Sequence, residues 1–232
     1  MPAIQISYYS DVLCIWAYVA ERRIEELARE FGGRIAIETH FCSVFPDAWG
    51  KIGEKWKSRG GFEGFNRHLR DVADRFPHIA VHNEVWLRAR PRTSASAHLF
   101  LKAVELVELS ERQQGAPPPP YLDRVATQAA REIRRAFFAR AKDISDWRIH
   151  KEIAKHLGID YEAIDDKIRS SEAVAKLAVD YDLSQKNGIQ GSPTLVMNEG
   201  RQKLFGNVGY RLLEANVQEL LRRPPEDEAS WC

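Results

Sequence analysis

The pattern of apolar and polar residues at the start of the chain predicts three elements. Residues 4–10 (IQISYYS) and 34–41 (RIAIETHF) are rich in β-branched and aromatic residues and alternate in part, which predicts two strands. Between them, apolar residues recur at three- and four-residue steps from Trp16 to Phe31, which predicts a helix ending at the glycine pair 32–33. This order is typical of a βαβ unit with parallel, neighbouring strands.

The middle of the chain, from about residue 60 to residue 187, has mainly helical periodicity. Five segments carry it: 64–76, 94–109, 121–141, 147–158 and 171–188. A proline-rich run, GAPPPP at 115–120, separates two of them. Strands are predicted again at 194–198 and 203–206, and a last helix at 209–223. A βαβ unit therefore opens the chain, a ββα unit closes it, and a long helical block lies between them.

Composition and charge narrow the class of protein. The 232 residues are 44% hydrophobic and 29% charged, which is typical of a soluble globular protein. The net charge of +1 gives no electrostatic reason to expect nucleic acid or an anionic membrane as a partner. No apolar run approaches the ~18 residues of a membrane span, and the first residues lack the apolar stretch of a signal peptide. We therefore expect a cytoplasmic protein.

The three cysteines, Cys14, Cys42 and Cys232, are too few for a disulfide scaffold. Their spacing is not that of a tetrahedral metal site, so we expect no metal. Cys14 precedes the first predicted helix, where unpaired N–H groups and the helix dipole favour an anion. We therefore expect a pKa below the usual ~8.5 and a nucleophilic role, with a small buried hydrophobic residue as the alternative. The terminal Cys232 is a candidate for adventitious intermolecular disulfides.

Three segments, in register over nearly the whole chain, carry a resemblance to a known family. Residues 10–27 (SDVLCIWAYVAERRIEEL) look like an active-site Cys-x-x-Cys junction, and residues 187–198 (NGIQGSPTLVMN) look like a loop that presents a cis-proline. Residues 136–160 resemble the insertion of cytoplasmic DsbA-family proteins of the FrnE type. The chain thus resembles the DsbA-like thioredoxin fold, an α/β fold whose βαβ…ββα frame holds a large all-helical insertion. Kappa-class glutathione transferases and 2-hydroxychromene-2-carboxylate isomerases belong to the same superfamily.

The resemblance implies how the chain is divided. Residues 1–50 and 185–223 would form a discontinuous thioredoxin-like domain, and residues 51–184 the helical insertion domain. Residues 224–232 are short and polar, and we expect them to form a loose tail. The long insertion leaves room for a homodimer interface, although no heptad pattern requires one.

Ala17 stands where the resembled motif carries its second cysteine. In a Cys-x-x-Cys enzyme this second thiol attacks the mixed disulfide that the first has formed. Alanine carries no sulfur, so oxidase activity through a disulfide within the motif is excluded. A single thiol can still exchange with a disulfide, and an outside thiol can then release the partner. A natural monothiol and a replacement of cysteine by alanine would give the same sequence.

Four further residues complete the candidate site. The resemblance implies a cis bond at Pro193 facing Cys14, with the backbone of Ser192 offered to an extended peptide or to glutathione. Trp16 is either a substrate-facing aromatic residue or a support for the helix. Cys42 follows the second predicted strand and could lie near Cys14 as an unconventional resolving thiol; a buried strand-end cysteine is the alternative.

The leading prediction is a thiol-disulfide oxidoreductase or isomerase that works through Cys14 alone. Its partners would be a thiol- or disulfide-bearing protein or glutathione as co-substrate, with no tightly bound cofactor. One alternative is a glutathione-dependent isomerase or transferase of the 2-hydroxychromene-2-carboxylate isomerase or kappa type. The other is a non-catalytic peptide-binding module, in which Cys14 would be buried and unreactive.

Overall fold

The computed structural model describes residues 4–112 and 115–222, in which four strands form one sheet. The strands are β1 (Ile4–Ser10), β2 (Ile35–Phe41), β3 (Thr194–Met197) and β4 (Gln202–Phe205), in the spatial order β2–β1–β3–β4. β1 and β2 are parallel neighbours, which confirms the prediction from the opening pattern. β3 runs antiparallel to β1, and β4 runs antiparallel to β3.

Helices dominate the described residues between β2 and β3. The helices along the described chain are α1 (Ile15–Phe31), α2 (Gly61–Ala73), α3 (Val85–Arg88), α4 (Ala95–Glu111), α5 (Val125–Phe138), α6 (Trp147–Leu157), α7 (Tyr161–Arg169), α8 (Glu172–Lys186) and α9 (Tyr210–Arg222). The predicted helices are present with ends shifted by a few residues, whereas α3 and α7 lacked a prediction. α7 does carry a start signal, because the Asp160 carboxylate accepts the N–H of Glu162.

Each face of the sheet is covered by helices. On one face α1 and α9 pack against β1, with Ile6, Tyr8 and Leu213 among the buried residues. On the other face Cys42 is buried together with residues of β1 and β3, and Leu183 of α8 packs against them. Because both faces of the sheet are buried, the strand sequences are largely apolar, and polar and apolar residues alternate only in part.

The insertion shares a core with α1. Trp86, Phe100 and Phe137 are fully buried in a cluster that also contains the first residues of α1. α4 lies at the centre of this block and packs on α5, α7 and α8. The carboxyl end of β1, where α1 begins, therefore lies under the insertion. The predicted tail at 224–232, with Cys232, lies outside the described residues, and no helix within them is long and apolar enough to cross a membrane.

Candidate active site

Cys14 lies where the chain leaves β1 and enters α1. It is the N-cap residue of α1, and its N–H donates to the carbonyl of Asp11 at 3.1 Å. Its thiol donates to the carbonyl oxygen of Ser192 at 3.1 Å, and the Ser192–Pro193 peptide bond is cis. The structure thus brings Cys14, Ser192 and Pro193 together, although nearly 180 residues separate them in sequence.

The expectation of a lowered pKa for Cys14 is wrong. Burial raises the pKa of this thiol, since only 7% of the residue is exposed, and the negative charge of Asp11 raises it further. The backbone N–H groups of Ala17 and Trp16 and the Ser192 side chain favour the thiolate. The predicted helix N-terminus is present, but desolvation outweighs it. Cys14 is therefore a protonated thiol at neutral pH.

Ala17 and Trp16 occupy the first turn of α1. Ala17 is fully buried. Trp16 is half-buried and packs edge-to-face on Phe76, with 6.0 Å between ring centres. The Arg75 guanidinium lies 5.9 Å from the Trp16 ring centre. Of the two interpretations, these contacts favour support for the start of α1 against the insertion.

Cys42 lies directly after β2 on the sheet face that α8 covers. Its N–H donates to Ser10 O at 3.0 Å, its thiol is free, and the residue is only 2% exposed. Burial strongly raises the pKa of Cys42, and the charges of Asp11 and Cys14 raise it further. Cys42 lines a cavity of about 520 Å³ that extends to Gly191, the residue before Ser192. The cavity therefore lies beside the cis-proline loop.

Lys51 is the cation of this cavity. It lies in a π-helical turn, Gly50–Glu54, of a kind often found at functional sites. Its Nζ donates to Val44 O at 2.8 Å. Burial lowers the pKa of Lys51, whereas the charges of Asp11, Cys14 and Cys42 raise it. No periodic pattern in the sequence marks this turn, so Lys51 was not predicted.

Asp11 and His98 also escaped prediction. Asp11 is fully buried, and its N–H donates to Ser192 Oγ at 2.9 Å. His98 of α4 accepts the N–H of Val12 through Nε2 at 3.2 Å, and burial lowers its pKa to about 4, so it is neutral. A sequence signal exists for His98 alone, because a polar residue within an apolar helical run is a candidate for a buried hydrogen bond.

The described residues contain no group of three or more His, Cys, Asp or Glu side chains that could hold a metal ion.

A cysteine at the start of the helix after β1, facing a cis-proline before β3, is the arrangement of the thioredoxin fold. A family model described as the DSBA-like thioredoxin domain matches residues 5–218. The chain therefore belongs to the DSBA-like thioredoxin family, and the fold prediction is confirmed. No curated protein matches the chain significantly.

Solved structures share this fold over almost the whole chain. A probable DsbA oxidoreductase from Streptomyces coelicolor is 17% identical, with a TM-score of 0.69 over 97% of this chain and 94% of that chain. The cytosolic disulfide reductase DsbM from Pseudomonas aeruginosa is 18% identical, with a TM-score of 0.63 over 92% and 98%. A 2-hydroxychromene-2-carboxylate isomerase is 14% identical, with a TM-score of 0.62 over 94% and 96%. DsbM has also been solved with GSH.

Proposed function

We propose that this protein is a thiol-disulfide exchange enzyme that works through Cys14 alone, with a protein disulfide or oxidised glutathione as substrate. The supporting observation is the Cys14 thiol 3.1 Å from Ser192 O, beside cis-Pro193, with Ala17 at the position of a second thiol. Membership of the DSBA-like family supports thiol-disulfide chemistry.

The exchange needs one thiol of the protein and one from outside. Cys14 Sγ attacks a sulfur of the substrate disulfide, so a mixed disulfide forms as the substrate S–S bond breaks. The departing sulfur takes up a proton in place of the one that Cys14 has lost. An outside thiol then attacks the mixed disulfide, forms a disulfide with the bound partner and returns Cys14 to the thiol state.

The carbonyl of Ser192 changes partner during this cycle. In the thiol state it accepts the S–H of Cys14. A mixed disulfide has no S–H, so the carbonyl becomes available to an N–H of the bound partner. An extended peptide and glutathione both carry such an N–H. The same step that binds the partner therefore exposes an acceptor for its backbone.

Glutathione is the outside thiol that the cavity beside Ser192 favours. Glutathione carries two carboxylates, and the Lys51 ammonium in the cavity wall complements a carboxylate. DsbM, which has the same fold, has been solved with GSH. Cys42 is the weaker candidate for the resolving thiol, because its burial and strongly raised pKa leave little thiolate for attack.

Mass spectrometry after incubation with oxidised glutathione tests the proposal. We expect one glutathione adduct on Cys14 and none in Cys14→Ser. Because the pKa of Cys14 is raised, the adduct should form about tenfold faster per pH unit up to that pKa. Absence of an adduct at every pH would contradict the proposal. A Cys14–Cys42 bridge would instead assign the resolving step to Cys42.

The burial of Cys14 favours a second candidate function, a non-catalytic module that binds peptides at the cis-proline loop. Such a module needs Ser192 and Pro193 but no reactive thiol. It predicts that Cys14→Ser leaves peptide binding unchanged and that the wild-type thiol resists glutathione at every pH. The experiment above therefore separates the two functions.

A further inference from the structure

The side chain of Asp11 ties three segments of the molecule together. Oδ1 accepts the N–H of Leu13 at 2.9 Å, within the turn that leads into α1. Oδ2 accepts the N–H groups of Val44 and Phe45, each at 3.0 Å, from the loop after β2. Oδ2 also accepts the hydroxyl of Ser94 at 2.8 Å, at the start of α4. One buried carboxylate thus joins the turn before α1, the loop after β2 and the insertion.

The backbone of Asp11 closes a ring with the reactive pair. Its carbonyl accepts the N–H of Cys14 at 3.1 Å, and its N–H donates to Ser192 Oγ at 2.9 Å. The ring is completed by the Cys14 thiol, which donates to Ser192 O at 3.1 Å. A shift of Asp11 would therefore move Cys14 and Ser192 relative to each other.

No lysine or arginine among the described residues pairs directly with Asp11, although the charge of Asp11 does raise the pKa of Lys51. The nearest basic group is His98, with Nε2 at 3.9 Å from Oδ1, but this nitrogen accepts the N–H of Val12 and the ring is neutral. Lys51 donates instead to Val44 O at 2.8 Å.

The charge of Asp11 acts on the titratable groups around it. It raises the pKa of Cys14 at the start of α1, of Cys42 in the loop after β2 and of Tyr181 on α8. It also favours the charged forms of Lys51 and His98, although burial lowers the pKa of each. The charge of Cys14 also raises the pKa of Arg134 on α5, but this guanidinium pairs with Glu21, with 3.2 Å between Nη1 and Oε2. Asp11 is therefore the acidic group that holds Cys14 in place while opposing its ionisation.

We infer that Asp11 is a positioning residue for the reaction at Cys14: its hydrogen bonds align the thiol with Ser192. The inference rests on the proposed function of Cys14. The same residue thus improves the alignment of the nucleophile and reduces the amount of thiolate. Removing its charge should move these two quantities in opposite directions, which loss of structure alone would not do.

Asp11→Asn tests the inference, with Asp182→Asn as the control that removes an exposed carboxylate of α8. Thiolate absorbance against pH, with Cys14→Ser as the blank, gives the midpoint of the Cys14 titration. We expect Asp11→Asn to lower this midpoint by about one pH unit, a tenfold gain in thiolate. Per thiolate, we expect exchange with oxidised glutathione to slow by about tenfold, because the thiol is no longer aligned.

Three results decide the matter. An unchanged midpoint and an unchanged rate per thiolate in Asp11→Asn would overturn the inference. If circular dichroism shows that Asp11→Asn does not fold, Ser94→Ala replaces it in the test. This variant removes one hydrogen bond to Asp11 and keeps the charge of Asp11. Its midpoint should stay unchanged while its rate per thiolate falls, and an unchanged rate would overturn the inference. If the wild type does not react with oxidised glutathione, the proposed function fails. The role of Asp11 is then still tested by the Cys14 titration and by the rate at which an alkylating reagent modifies Cys14.

Discussion

Two aspartates, Asp11 and Asp180, are buried in the part of the chain that the structure describes, and their partners differ in kind. Asp180, on α8, is 3% exposed and pairs with Lys102 Nζ at 2.8 Å. His40 Nδ1 and the N–H of Phe41 donate to the same carboxylate at 2.9 and 2.8 Å. Asp11 is 0% exposed and accepts hydrogen bonds only from backbone N–H groups and a hydroxyl.

The difference separates a charge that is paired with a cation from one that lies among the thiols. Burial opposes the ionisation of Asp180, but His40 and Lys102 outweigh it, so the pKa of Asp180 is lowered. Lys102 also donates to Thr39 O at 3.1 Å, which fixes α4 to the open edge of β2. The charge of Asp180 is thus cancelled locally and fastens the insertion to the sheet, whereas the charge of Asp11 reaches the thiols.

Breaking the Asp180 pair should have the largest effect on stability. Lys102→Met leaves Asp180 as an uncompensated buried charge, which typically costs about 3–5 kcal/mol. We expect urea unfolding at neutral pH to show a loss of this size. Lys176→Met is the matched control, because Lys176 also pairs with a carboxylate of α4, Glu105, but is more exposed. It should cost about 1 kcal/mol or less.

A double variant sharpens the first result. Lys102→Met with Asp180→Asn removes both charges and keeps an oxygen acceptor for the N–H of Phe41. It should recover part of the lost stability. If Lys102→Met costs no more than Lys176→Met, the distinction between the two aspartates does not hold.

Acid should have the next largest effect on stability, through His98, the neutral histidine beside Asp11. Burial lowers the pKa of His98 to about 4, and that of His150 likewise to about 4. The unfolded chain, with an ordinary histidine pKa near 6.5, binds protons more tightly, so stability falls as pH drops from about 6.5 to 4. Each histidine contributes about 3 kcal/mol over that window. Urea unfolding at several pH values measures the slope.

The control for this prediction is His98→Gln. Glutamine cannot titrate, and its amide oxygen can accept the N–H of Val12 in place of Nε2. The slope should fall by about half, with His150 supplying the rest. An unchanged slope would mean that His98 is not a neutral buried acceptor. His98 would then be a cation beside Asp11.

The sequence predicts the frame better than the chemistry, for a physical reason. Strands and helices follow from the periodicity of neighbouring residues, and the parallel β1–β2 pair follows from the order of elements. The opposition of Cys14 and Ser192 was implied by the family resemblance. The pKa of Cys14 was predicted in the wrong direction, because the helix N-terminus is a local feature whereas burial depends on how the insertion covers it.

The contacts of Asp11 show the same limit. Ser94 lies 83 residues from Asp11 in sequence, and His98 lies 86 residues from Val12. Nothing within the segment SDVLC distinguishes an exposed aspartate from one that accepts four hydrogen bonds. Only the fold brings the start of α4 to the end of β1, so no local pattern could identify the carboxylate as buried.

The smallest expected effect concerns one neutral donor of Asp11. Ser94→Ala removes the hydroxyl at 2.8 Å from Oδ2 and leaves the two backbone N–H groups in place. A hydrogen bond to a buried charge is worth about 1.5–3 kcal/mol, and we expect a loss near the lower end because Oδ2 keeps its other donors. Ser110→Ala, at an exposed serine of α4, should cost less than about 0.5 kcal/mol. If both variants lose equally little stability, the hydrogen bond from Ser94 contributes little to holding Asp11 in place.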